Sequence, residues 1–328
     1  MITGAGLAIL VNANAKRGGR RIAAQLKEAL PSATVRLTRT LLEMESWLRS
    51  LESPRCILSA GGDGTAAALM SALDRVTPEG MPFPNIGLLP LGTGNGWANS
   101  LGAPKLDRCL EILRDAQDAL PMRRVGAVVC DGHLAQFAGC GWDSMVLNDF
   151  RAQVAETTGP AKWVSKSAFG YLSAAMLRTV PRALLLGNPR VVIENLGGEV
   201  YRMGPDRRLQ RVEEEILYDG PFGCASVGTC PEYGYGFKAL PFAERFPGAM
   251  NLRVYLAHPL GPVIHLRDIW TGVFPLAGAT DWFATAVRMT FSRPMPLQVG
   301  GDAHGMRRRV EYRMSPRALH VLDWRRLL

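Results

Sequence analysis

Two short glycine-rich runs hold the residue types best suited to chemistry: Gly61-Gly62-Asp63-Gly64-Thr65 and Leu91-Gly92-Thr93-Gly94-Asn95. The first sits where an apolar stretch of strand length (55–60) gives way to a helical pattern (66–73). Glycines at such a junction let backbone N–H groups approach an anion closely, and the helix N-terminus adds favourable partial charge. Asp63 needs a further partner, because a carboxylate facing phosphate is repelled unless a cation lies between them. The economical reading is a nucleotide–Mg²⁺ site with Asp63 on the metal side, acting through phosphates or water. The second run repeats the arrangement after another apolar stretch (85–90). Two such turns, about thirty residues apart, would converge on one edge of a parallel sheet. The first run has no lysine at the Walker position, and the second lacks the spacing of a dinucleotide turn. Either run alone reads equally well as a plain strand cap. Together, with an acid and two threonines, they read as a phosphate site.

The elements that must hold these turns follow from the apolar periodicity. Short buried strands are expected at 7–11, 34–37, 56–58 and 86–89, followed by helical patterns at 20–30, 41–51, 65–73 and 94–101. Strand–helix alternation of this kind implies a parallel sheet with helices on both faces. A helix at 106–118 closes this half. From Met122 onward strand-like runs dominate, at 125–130, 135–139, 190–194, 224–228, 250–257, 287–291 and 310–314. Helical patterns at 142–155 and 162–185 interrupt them. The fold class expected is α/β plus mainly-β: a doubly wound nucleotide-binding domain followed by an antiparallel, sandwich-like domain.

Composition narrows the function classes. A chain of 328 residues, 47% hydrophobic, can bury two cores. The six cysteines have no metal-binding spacing and lie mostly in apolar runs, as expected for reduced thiols in a cytosolic protein. No basic region precedes the first apolar run, which is only strand-length, so no signal peptide is expected. No apolar stretch approaches bilayer-spanning length. The net charge of +9 favours anionic partners, yet the basic residues are dispersed and no nucleic-acid module is present.

At this point the sequence resembles the diacylglycerol kinase catalytic-domain family, which includes bacterial lipid kinases and sphingosine and ceramide kinases, with NAD kinases as distant relatives. The matching residues are Asn12, Thr38, Gly61 to Thr65, the segment LPLGTGNGWANSL (89–101), Gly141-Trp142-Asp143 and the segment QVGGD (298–302). The resemblance implies that Asn12 and the following loop with Lys16, Arg17 and Gly18 contact the phosphates or ribose of ATP. Thr38 and Thr65 carry hydroxyls suited to the same nucleotide, with Thr40 close enough to substitute for Thr38. It implies that Gly92, Thr93, Gly94 and Asn95 pack along the nucleotide, and that Asp143 contacts the acceptor alcohol or helps order the site. Asp143 is equally placed to cap the helix that follows it. In the family an Asp-Gly-Glu segment supplies a catalytic base; aligned on Val299, this chain reads Gly300-Gly301-Asp302, which makes Asp302 the base. Gly-Gly-Asp is also common hairpin-turn chemistry. His304, two residues on, is a second titratable group.

The chain departs from the family pattern elsewhere. Ala67 and Ala68 stand where Asn-Glu is common, and Gly96 where aspartate usually follows the GTGN run. Pro247-Gly248-Ala249-Met250 replaces an Asp-Gly segment associated with a structural metal. The resulting expectation is an ATP- and Mg²⁺-dependent lipid kinase, cytoplasmic and peripherally membrane-associated. Its ATP-binding domain spans 1–122 with 319–328 returning to it, and its lipid-substrate domain spans 123–318. The expected partner is a lipid at the membrane surface, with no nucleic acid and a homodimer left open. An NAD kinase-like enzyme and a catalytically weak nucleotide- or lipid-binding homologue also remain open.

Overall fold

The computed structural model describes residues 6–13, 19–52, 54, 56–92, 95–116, 120–159, 170, 173–234, 236–256 and 265–328. The first part alternates strand and helix: β1 Leu7–Asn12, α1 Gly19–Ala29, β2 Thr34–Thr38, α2 Leu41–Arg49, β3 Cys56–Gly61, α3 Asp63–Val76, β4 Ile86–Pro90, α4 Gly96–Ser100, α5 Leu106–Asp115 and β5 Met122–Val125. The central strands LAILVN and CILSAG are apolar almost throughout, as a sheet covered on both faces demands.

These strands form a six-stranded sheet in the order β2-β1-β3-β4-β18-β5, where β18 is Leu319–Leu322 from the far end of the chain. It is parallel except for β5, which runs against β18. Register explains the convergence of the functional turns. Asn12 pairs with Thr38, Val11 with Ala60, and Gly61 with Pro90, so β1, β2, β3 and β4 finish at nearly one level. Trp324, just after β18, is fully buried and donates its indole N–H to the Leu88 carbonyl at 3.1 Å. The chain end therefore locks the strand that leads into the second glycine turn.

The second part contains β6 Val128–Cys130, β7 His133–Ala135, β8 Phe137–Gly141, α6 Trp142–Glu156, a π-turn at Ala175–Thr179 running into α7 Val180–Leu186, β9 Arg190–Asn195, β10 Val200–Met203, β11 Leu209–Val212, β12 Ile216–Pro221, β13 Cys224–Gly228, β14 Met250–Tyr255, α8 Leu266–Thr271, β15 Ala279–Ala284, β16 Ala286–Val299 and β17 Asp302–Met314. The strands form one twelve-stranded antiparallel sheet, β11-β10-β15-β14-β13-β8-β16-β17-β6-β7, with β9 and β12 branching from β16. The sequence placed the main strands but joined β5 to β6 and β7 to β8. It also missed β10, β11, β12 and β15. β11 and β12 read poorly because their exposed positions break the apolar runs. Helix α5 ends at Asp115, short of the expected 118, where residues 117–119 lie outside the described ones.

Five of the six cysteines are buried and all are free. Burial pushes the thiols of Cys109, Cys130 and Cys230 up to about 12, which leaves them protonated and inert at neutral pH.

Candidate active site

The two glycine turns meet backbone to backbone. The Gly61 carbonyl accepts the N–H groups of Leu91 at 3.0 Å and Gly92 at 3.1 Å. A β-carbon on Gly92 would lie 2.4 Å from the Gly62 Cα, and one on Gly62 would lie 3.0 Å from the Gly92 Cα. No other residue type permits that approach at Gly92. Asn95 then closes its own loop: its Oδ1 accepts the Gly92 N–H at 2.8 Å and its Nδ2 donates to the Gly92 carbonyl at 2.9 Å. Thr93 and Gly94 lie outside the described residues, as do Lys16, Arg17 and Gly18.

Asp63 is the first residue of α3, and both its carboxylate oxygens accept backbone N–H groups of α4. Gly96 donates to Oδ2 at 2.9 Å and Trp97 to Oδ1 at 3.0 Å. Burial raises the Asp63 carboxyl above its ordinary value, and these two bonds work against the rise. Asp63 thus fastens one glycine turn to the helix that follows the other. Gly96, at the departure from the family pattern, fits for a steric reason: a β-carbon there would lie 2.5 Å from the Gly234 nitrogen. At Gly64 the same construction meets nothing within 4 Å, so open space lies at the N-terminus of α3.

Asn12 and the two threonines serve the frame of this cradle. Asn12 donates its amide to the Thr65 hydroxyl at 3.3 Å, which ties β1 to α3. Thr65 and Thr38 are both buried. The Thr38 carbonyl accepts the Ala13 N–H at 3.0 Å as the chain leaves β1.

From the second sheet, Asp143 in the first turn of α6 is surrounded by protein atoms. Its Oδ1 accepts the Ser144 N–H at 2.7 Å, while Oδ2 accepts Ser226 Oγ and Gln298 Nε2, each at 3.3 Å. Burial raises its carboxyl above the ordinary value despite these donors. Asp302 opens β17, paired with Val299 across a two-residue hairpin turn in which Gly300 and Gly301 have φ of 58° and 84°. Both glycines are thus left-handed, the requirement of the tight turn that twists with its strands. The Asp302 side chain is half exposed and forms an ion pair with Arg151 of α6. His304 stacks edge-on against His133 with ring centroids 4.5 Å apart. Burial, followed by the neighbouring His133, lowers its pKa.

Three features bring the two acids and the glycine cradle together, and sequence reasoning assigned none of them. Gln298 donates to Asp143 while its Oε1 accepts the Gly301 N–H at 3.0 Å, so one amide bridges the buried acid and the Asp302 turn. That turn rests on α3: a β-carbon on Gly300 would lie 3.0 Å from the Ala67 methyl and 3.8 Å from Gln136 Oε1. Ala67 is therefore the small residue that lets the hairpin sit over the first turns of the glycine helix. The third is Glu232 in the loop after β13, whose Oε2 is buried without a hydrogen-bond partner among the described residues. Burial raises its carboxyl; Lys238 and Arg325 oppose the rise, and the negative charge of Asp63 adds to it. The QVGGD motif held the signal for Gln298, whereas Glu232 sits in a stretch with no pattern of its own and the helical pattern around Arg151 marks no site. A concavity of about 700 Å³ lies at the opposite ends of the first-sheet strands, lined by Leu48, Ile57, Met81 and Phe83. It takes no part in this constellation.

Residues 7–123 match the family model for the diacylglycerol kinase catalytic domain. That segment marks a diacylglycerol kinase catalytic domain within the chain. It is also similar to the lipid kinase YegS of Escherichia coli K12, 37% identical over 69% of this chain and 66% of YegS. A stretch of 46 residues is 50% identical to the eye-specific diacylglycerol kinase of Drosophila melanogaster, covering 14% of this chain and 3% of that protein. Among solved structures, a diacylglycerol kinase from Bacillus anthracis shares the fold with a TM-score of 0.65 over the full length of both chains at 12% identity. An NAD kinase from Archaeoglobus fulgidus in complex with ATP shares it with a TM-score of 0.51, covering 98% of this chain and 95% of that one at 15% identity.

Proposed function

We propose that this protein is a lipid kinase that transfers the γ-phosphoryl group of ATP to a lipid hydroxyl at a membrane surface. One observation carries the reading: the Gly300–Gly301 turn, with Asp302 beside it, rests on Ala67 of α3, the helix that begins in the first glycine run. The hairpin that carries the acid is thereby packed against the same helix whose open N-terminus suits phosphate.

The residues present fit ATP and Mg²⁺. Open space at Gly64 leaves the N-terminal N–H groups of α3 accessible to phosphate oxygens. No group of three metal-ligating side chains occurs among the described residues, and both Asp63 oxygens already accept N–H bonds. Asp63 therefore suits a cation held through phosphates or water rather than a cage of protein ligands. Bound ATP supplies the phosphoryl group and Mg²⁺ neutralises its charge. For their part, Gly61, Gly62, Gly64 and Gly92 shape the cradle, with Thr93, Gly94 and Asn95 continuing it. Asn12, Thr38 and Thr65 brace it. Asp143 orients the acceptor alcohol, and Asp302 accepts its proton, with Arg151 ion-paired to the carboxylate and fixing its position.

A further part of the proposal is that residues 1–122 with 319–328 form the ATP-binding domain and 123–318 the lipid-substrate domain. The test is transfer of radiolabelled phosphate from ATP to a panel of diacylglycerol, monoacylglycerol, sphingosine, ceramide and NAD. Labelling of a lipid but not of NAD is expected. Labelling of NAD alone, or of nothing at any Mg²⁺ concentration, overturns the proposal.

A further inference from the structure

The segment from the π-turn through α7 leaves a run of large apolar side chains in water. Leu177 is 74% exposed, Leu184 48%, Leu185 87% and Leu186 54%, with Met176 at 38%. Single exposed leucines are ordinary, but five within twelve residues of one helical segment expose an apolar surface that a water-facing helix has no reason to keep. The segment is firmly mounted on α6. The Thr179 hydroxyl donates to Asp149 at 2.7 Å, Arg182 pairs with Asp149 at 3.1 Å, and Arg178 pairs with Glu156. Helix α6 also carries Asp143 and Arg151, so whatever covers the leucines is coupled to the candidate site by one rigid element.

Charge selects the occupant. Between Glu156 and Glu194 the sequence contains five cationic residues and no acidic one, three of them (Arg178, Arg182 and Arg190) paired with acids outside that stretch or at its edge. Arg293 of β16 adds a sixth cation at the C-terminal end of α7, where it donates to the carbonyls of Leu186 at 2.7 Å and Gly187 at 2.6 Å. Those are dipole contacts, and no carboxylate neutralises its charge among the described residues. Apolar side chains flanked by unneutralised arginine form the pattern of an element lying in the headgroup region of an anionic bilayer.

We propose that the 175–186 segment is the membrane-docking element of this protein, with Leu177 and Leu184 to Leu186 entering the acyl boundary and Arg293 facing anionic headgroups. This rests on the lipid-kinase reading for its purpose but not for its test. The double variant L177Q/L185Q alters only exposed positions, and L42Q on α2, whose leucine is 77% exposed, serves as control. Co-sedimentation with vesicles of phosphatidylglycerol and phosphatidylcholine needs no turnover. The double variant is expected to bind roughly tenfold or more weakly than wild type, since two partly inserted leucines are lost, while L42Q binds as wild type. Phosphorylation of a detergent-dispersed short-chain diacylglycerol should be equal in all three proteins. Absence of that activity in all three would count against the kinase reading and leave the vesicle result standing. Equal vesicle binding by wild type and double variant overturns the proposal. So does a wild-type dimer, seen by light scattering, that becomes monomeric in the double variant without change in vesicle binding; the leucines would then be a self-association surface.

Discussion

The Asp63 carboxylate accepts the Gly96 N–H at 2.9 Å, and that bond joins the start of α3 to the start of α4 across two separate glycine turns. With the Trp97 N–H on its other oxygen, Asp63 is a structural bracket as well as the acid proposed for the phosphate site. Asp63→Asn presents an NH₂ to one of these two donors and leaves a backbone N–H unpaired. A loss of about 1–3 kcal/mol in stability is expected alongside loss of turnover. Chemical denaturation and a kinase assay on the same sample check both, and an Asp63→Asn protein with wild-type stability would remove the bracket from the account.

Gly64 separates a nucleotide role from a folding role. Alanine there meets no neighbour and sits inside a helix, so Gly64→Ala should stabilise the fold by about 0.5–1 kcal/mol. The added methyl occupies the space assigned to phosphate, so ATP affinity should fall. A higher Tm with unchanged ATP affinity by calorimetry would move the phosphates elsewhere. Gly92→Ala is the counterpart, expected to damage both, because its β-carbon would lie 2.4 Å from the Gly62 Cα.

The half-exposed Asp302 contributes little to the core, so Asp302→Asn should leave Tm nearly unchanged while kcat falls ~10²–10⁴-fold, the usual contribution of a positioned base. Arg151→Gln should lower kcat less. A fully active Asp302→Asn enzyme that melts early would reduce Asp302 to a turn residue and leave Asp143 as the leading base.

Asp143 should leave a pH signature in stability. Its folded-state pKa is raised by burial above the ordinary 3.8, so the contribution of its protonated form is complete below about that value and is lost as pH rises through the folded pKa. Asp143→Asn cannot ionise. The Tm difference, variant minus wild type, should therefore grow as pH rises from 4 through the folded pKa and then level off. A difference that stays flat with pH would place the carboxylate in contact with bulk water. In the assay the same variant should raise KM for the lipid more than for ATP.

Trp324 tests the role of the chain end. It is completely buried with its indole N–H on Leu88 of β4, and Trp324→Ala should destabilise the protein by about 3–5 kcal/mol. Urea denaturation followed by circular dichroism measures this directly.

Local chemistry made much of this molecule legible in advance. Apolar runs such as LAILVN and CILSAG can only be buried strands, and glycine clusters at their ends can only be turns, so the alternating first half and both glycine loops could be read from order alone. The hairpin character of Gly300-Gly301-Asp302 was equally local, since two left-handed residues in succession favour glycine. What the sequence could not fix was which residues meet across long separations. Asp63 finds Gly96 because β3 and β4 end in register. Gln298 finds Asp143 because β16 pairs with β8, 155 positions apart along the chain at that contact. Glu232 is held near Asp63 by a loop with no periodic pattern, and β18 enters between β4 and β5 from the far end of the chain. Those contacts depend on sheet pairing and on the absence of side chains at Gly62, Gly92 and Gly96, where two backbones must touch. Residue types set what each group could do, and only the packed backbone decided which groups would do it together.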